Sequence, residues 1–259
     1  MTGDDVQARS LVNPPVIEAV AGIEFRPRGL GLVELVRETD AWRDRYPTVS
    51  TQGALPPTRP YGQPGAEFEM QLLGGPPPLR VWSESLESDW LLQTQDDRLL
   101  LNWRRVADGA RYPGYDEAIR PEITRVLDLV ASRSEPSLHP LVAEFSYVNK
   151  VATELPGLHH AYATFRKPER PIPGEVVGER YEIVTQREVG SGVAQLTASI
   201  QPSEISGQTV LTLSTKVFAT RQSSLSEAIV MIDDAHATSK EAFFAIVSDN
   251  TASQWGDAG

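Results

Sequence analysis

The sequence predicts an α+β protein: a curved antiparallel sheet with long helices packed on one face, its two halves repeating the same order of elements. Three observations predict this. Many short runs alternate apolar and polar residues with the period of a strand. Three longer runs place apolar residues at helical spacing, and Gly, Pro, Asp and Ser separate the strand runs at hairpin distances.

Residues 1–12 are polar and read as a flexible lead, followed by Asn13-Pro14-Pro15. In the next run Ile17, Ala19, Ala21, Ile23 and Phe25 share one face, with Glu18, Gly22 and Glu24 on the other, which predicts a half-buried strand. Leu32, Leu35, Val36, Trp42 and Tyr46 recur at helical spacing and predict a helix over about 30–45, stopped by Pro47. Residues 48–65, rich in Pro, Gly, Ser and Thr, read as a surface connection outside the core. Strands are predicted at 68–72, 79–85, 89–95 and 98–105, with Asp96-Asp97 as a tight turn between the last two. Ile119, Ile123, Val126, Leu127 and Val130 then form one helical stripe over 116–133, with Pro121 in the first turn, where a missing N–H costs least.

The second half opens with a strand at 141–153, and a Pro-rich stretch at 165–174 replaces the expected helix. Strands follow at 181–188, 193–201 and 208–218, joined by the turns Gly190-Ser191-Gly192 and 203–207. A helix over 224–247 closes the chain, with Ser224 and Glu227 in a capping-box pattern. The division expected is a lead at 1–12, a first half at 13–135 and a second at 136–259, packed as one unit. In shape this order resembles TATA-binding-protein-like or helix-grip folds, a likeness that implies nothing about function.

Composition excludes several classes. No apolar run approaches the roughly 20 residues that cross a bilayer, and the acidic start is unlike a secretory leader, so a cytoplasmic protein without membrane contact is expected. Without cysteine there are no disulfides, thiolate nucleophiles or zinc-thiolate sites. A formal charge of -11 opposes nucleic-acid binding, which needs Lys and Arg against phosphate.

Motifs for chemistry are absent too. Gly29-Leu30-Gly31 lacks the third glycine of a dinucleotide fingerprint, and Gly190-Ser191-Gly192 fits a hairpin better than a nucleophile elbow. His139, His159, His160 and His236 show no metal-ligand spacing, so neither metal nor cofactor is expected. His236 lies close to Asp233 and Asp234, where a carboxylate–imidazole pair is one reading and a structural histidine the stronger one. The expected recognition residues are Asn102, Arg104, Tyr147 and Asn149. They are polar positions inside strand-forming runs and need partners if buried, and the Arg104 fork suits an anion. The two asparagines are expected to approach each other across the pseudo-symmetry axis.

The opening Asn13 to Val20, the Asn102-Trp103-Arg104 centre, Tyr112-Pro113-x-Tyr115, Tyr147-Val148-Asn149 and the closing Trp255-Gly256 resemble a sporadically distributed bacterial and archaeal family of uncharacterised proteins of about this length. Lys150 departs from the arginine of that pattern. The resemblance implies a single full-length unit and a patchy distribution of the kind shown by accessory or defence genes. The function expected is a non-enzymatic binding or regulatory protein that takes a protein partner or small ligand on the sheet's concave face, with a homodimer also allowed. The alternative is a hydrolase or transferase of unfamiliar type with a pocket lined by carboxylates such as Glu18, Glu24 and Glu144.

Overall fold

The computed structural model describes residues 11–26, 40–62, 79–107, 109–133, 138–152, 162, 181–203, 208–222 and 224–256. In chain order these form β1 (Val16–Arg26), β2 (Thr48–Gly53), β3 (Leu79–Glu84), β4 (Trp90–Gln95), β5 (Arg98–Arg104), a π-helical turn (Tyr115–Ile119) and α1 (Arg120–Arg133). Then come β6 (His139–Ala152), β7 (Tyr181–Val189), β8 (Gly192–Pro202), β9 (Gln208–Ala219), a 3-10 turn (Leu225–Glu227), α2 (Ala228–Ile246) and α3 (Asp249–Ser253). The expected strand at 68–72, the Pro-rich stretch at 165–174 and turn residues 204–207 lie outside the described residues, as does most of the expected helix at 30–45.

All nine strands join one antiparallel sheet in the order β2-β3-β4-β5-β1-β6-β9-β8-β7. The expected layer of long helices, with its TATA-binding-protein-like or helix-grip arrangement, is therefore corrected. The sheet dominates, and among the described residues only α1 and α2 exceed a few residues. Of the 30–45 stripe, the described part is helical only over 40–42. Trp42 there reaches β3, its indole N–H donating to Ser83 Oγ at 3.4 Å.

Alternation gives the sheet two unlike faces. Ala19, Ala21, Ile23, Phe25, Leu99, Leu101, Trp103, Ala143, Phe145 and Leu213 face the helices and form one buried cluster with the stripes of α1 and α2. Val16 joins that cluster in place of Ile17, because the register against β6 slips between Val16 and Glu18 and turns the chain over. α2 lies along β6 and β9, where the Ser239 hydroxyl meets Thr215 Oγ1 at 2.7 Å. The other face mixes polar residues such as Gln93, Arg98 and Asn102 with apolar ones such as Leu91, Leu100 and Val142.

β2 corrects the reading of 48–65 as connection only. It pairs with β3 from Thr48↔Glu84 to Gly53↔Leu79, yet every residue is exposed. An edge strand with no buried face has no apolar alternation, so its sequence carries no strand signal.

Candidate functional site

Five segments remote in sequence meet at one end of the helix-covered face. The lead at Leu11–Pro14 runs beside the C-terminal turn, with Val12 N–H donating to Gly256 O and Asn13 N–H to Trp255 O, both at 3.0 Å. The turn from Tyr112 to Glu117, the end of β6 and the later half of α2 complete a cavity of about 410 Å³. Tyr147 and Asn149 enter it from β6 because they alternate with Val148, which faces the other way. His236, Lys240, Phe243 and Phe244 enter it from α2 at helical spacing.

The wall is aromatic. Tyr112 packs edge-on against Tyr147 and Trp103, with centroids 5.8 and 5.5 Å apart, and its hydroxyl lies 3.1 Å from that of Tyr147. Tyr115 stacks on the His236 ring at 3.8 Å. Asp233, one turn before His236, accepts from the Tyr115 hydroxyl at 2.7 Å and from Arg120 Nε and Nη2 at 2.8 and 3.0 Å. Gly114 admits this turn with φ +89°, a backbone that L side chains rarely adopt.

Burial holds the tyrosines and His236 neutral. Desolvation raises the phenol pKa of Tyr112, Tyr115 and Tyr147 well above its ordinary value. It lowers His236 to about 4, the charge of Lys240 adding to the effect. At the floor Asn149 is 1% exposed. Its Nδ2 donates to Leu211 O at 3.2 Å, and its Oδ1 is buried without a hydrogen-bond partner.

Of the expected recognition residues, the structure brings Tyr147 and Asn149 into this cavity and leaves the other two outside. Asn102 and Arg104 project from the opposite face, so the two asparagines do not approach each other. Asn102 donates to Glu18 Oε1 and accepts from Gln93, at 2.8 and 2.7 Å. Arg104 donates to Ser88 O at 2.8 Å and lies 3.3 Å from Glu84. The member of that triplet that serves the cavity is Trp103, which backs Tyr112. The sequence reading missed the roles of Tyr112, Tyr115 and Trp103, although it had singled out both motifs that contain them.

None of the carboxylates named for the alternative lines this cavity, and each has a partner of its own. Glu18 holds Asn102, Glu24 pairs with Arg98 at 3.1 Å, and Glu144 lies 3.9 Å from Lys216. Asp233 and Asp234 are also committed elsewhere, the former to Tyr115 and Arg120 and the latter to the Ser191 N–H at 2.9 Å and to the Ser191 hydroxyl. Neither is hydrogen-bonded to His236 in the carboxylate–imidazole pair that is the weaker reading of that residue. Among the described residues no group of three or more His, Asp or Glu could hold a metal ion, and no helix is long and apolar enough to cross a membrane. No family model, curated protein or solved structure matches the chain.

Proposed function

We propose that the protein is a non-enzymatic binding protein that holds a small, uncharged, partly aromatic ligand in the cavity between the lead, the Tyr112–Glu117 turn and α2. The observation that carries this reading is Asn149 Oδ1, a fully buried acceptor without a partner in a cavity that the rings of Tyr112, Tyr115, Tyr147, His236, Phe243 and Phe244 help to wall. Such an acceptor calls for a donor, and a ligand N–H supplies one. One of the two protons on the Tyr112–Tyr147 hydroxyl pair serves their mutual bond, and the other is available to a ligand carbonyl. An N–H beside a C=O, as in a lactam, cyclic imide or nucleobase, matches that pair of needs. A charged group beside Asn149 does not, because the tyrosines and His236 there are neutral and burying an unpaired charge is costly. The charged lining residues Asp116, Glu117 and Lys240 lie at the more exposed parts of the cavity.

The same neutrality argues against catalysis. A general base works best with a pKa near the operating pH, whereas His236 is displaced to about 4 and the tyrosines are displaced upward.

The test is a set of neutral lactams, imides and nucleobases, screened by ligand-observed NMR and followed by calorimetric titration. Binding at one site is expected, weakened roughly tenfold in Tyr112→Phe, the cost of about one hydrogen bond. If no member binds, or if binding ignores changes at both Tyr112 and Asn149, the reading fails.

A further inference from the structure

On the face of the sheet turned away from the helices, the segment that follows β2 crosses from one half to the other. Its contacts follow a period of three. The Leu55 N–H donates to Gln95 Oε1 at 2.8 Å, the Thr58 N–H to both Glu24 oxygens at 3.2 Å, and the Tyr61 N–H to Gln195 Oε1 at 2.7 Å. Prolines occupy 56, 57 and 60, where no donor is used. A three-residue repeat of bonded amides with prolines between them is the pattern of a polyproline II helix, which advances about 3.1 Å per residue.

The sheet is built to match. Gln95, Arg98 and Glu24 lie opposite one another on β4, β5 and β1 and form one row across the strands. Two strand spacings of about 4.8 Å separate the ends of that row, close to the roughly 9.3 Å of one polyproline turn. The second step, to β8, spans three strands and closes in the turn at Tyr61, so the match is tight over the first step only.

All three residues of the row are buried. They are also tied in place: Asp97 accepts from Gln95 Nε2 at 3.0 Å and from Arg98 Nε at 3.2 Å, and Arg98 lies 3.1 Å from Glu24. Gln95 Nε2 and Arg98 Nη2 then donate to the carbonyls of Leu55 and Pro56 at 3.1 and 2.8 Å. Nearly every bond is to backbone; the Thr58 hydroxyl, which donates to Glu24, is the exception on the segment's side. A row of this kind accepts any extended chain with the same spacing of amides and prolines. The preceding β2 is wholly exposed and pairs on one side only, so its release uncovers little apolar surface.

We propose that this row is a docking track for an extended, proline-rich segment of a partner protein, occupied in the resting chain by its own residues 54–62. The inference stands apart from the cavity on the other face. The probe is residues 54–62 as a labelled synthetic peptide, titrated by fluorescence anisotropy onto the full chain. Thr58→Pro in the protein removes the amide and hydroxyl that Glu24 holds and leaves the track open to the intact peptide. That variant is expected to bind the peptide roughly 100-fold more tightly than the wild-type chain, whose own segment competes at high effective concentration. A peptide carrying the same Thr58→Pro change should bind neither. Thr58→Ala, which keeps the amide, should fall between them and serves in its place if Thr58→Pro loses the sheet signal in circular dichroism. Equal binding to all proteins, or none to a folded variant, overturns the proposal. A wild-type dimer that the peptide splits into monomers would assign the track to a second copy's segment and overturn the partner assignment.

Discussion

Replacing Asn149 with leucine should make the protein more stable and its cavity less able to bind. The side chain is 1% exposed, and its unpartnered Oδ1 carries a desolvation cost of about 1–3 kcal/mol. Its one hydrogen bond, from Nδ2 to Leu211 O, contributes about 0.5–1.5 kcal/mol in return. Leucine has a similar volume, needs no partner and adds buried apolar surface beside Val16, the residue opposite on β1. The net expected gain is about 1–2 kcal/mol, or roughly 2–6 °C in Tm for a chain of this size. Urea unfolding with an unchanged slope measures the first effect. Calorimetric titration of a bound lactam or nucleobase measures the second, with a loss of about tenfold or more for one missing hydrogen bond. A variant that is less stable by more than about 1 kcal/mol and binds as before would show that the asparagine is structural and refute the reasoning.

Other substitutions probe the frame of the cavity and the packing behind it. The lowered His236 pKa means that the unfolded chain, near 6.5, binds a proton before the folded one does. Stability should therefore fall as pH drops from about 6.5 to about 4, by on the order of 3 kcal/mol, and His236→Phe should flatten that part of the urea-midpoint profile. An unchanged profile would remove His236 as its source. Glu122→Ala strips the acceptor from the Tyr46 hydroxyl at 2.7 Å and from Arg125 at 2.7 Å, and should cost about 2–3 kcal/mol by chemical denaturation. The exposed Arg45 adds little to that total. Gly114→Ala forces φ +89° on an L side chain and sets its Cβ against the Glu117 carboxylate. A cost of about 1–3 kcal/mol is expected, together with weaker fragment binding as the Tyr115 turn shifts.

Strands whose faces differ in polarity were legible in the sequence. β1, β4, β5, β6, β8 and β9 fall within a residue or two of their expected bounds, because alternation and turn chemistry are written within a few adjacent residues. Asp96-Asp97 and Gly190-Ser191 turn where expected, and Glu227 reaches back to the Ser224 N–H at 2.7 Å as its capping box requires. Tyr147 and Asn149 stand out in the sequence as polar positions in a strand with a buried face, and both line the cavity.

Tertiary structure alone decided which polar residues were satisfied and by what. Asn102 and Asn149 look alike in sequence, each an asparagine in a strand-forming run. One finds Glu18, 84 residues away, and Gln93 across the next strand, while the other keeps an acceptor unpaired beneath a ring-lined cavity. Likewise 54–62 reads locally as a connection, and only the row of Gln95, Arg98 and Glu24, assembled from three strands, turns it into a bound segment. Local sequence determines periodicity and turns because those depend on the backbone of neighbouring residues. The partners of a buried polar atom depend on which distant strands are brought within about 3 Å of it, and that is a property of the folded chain.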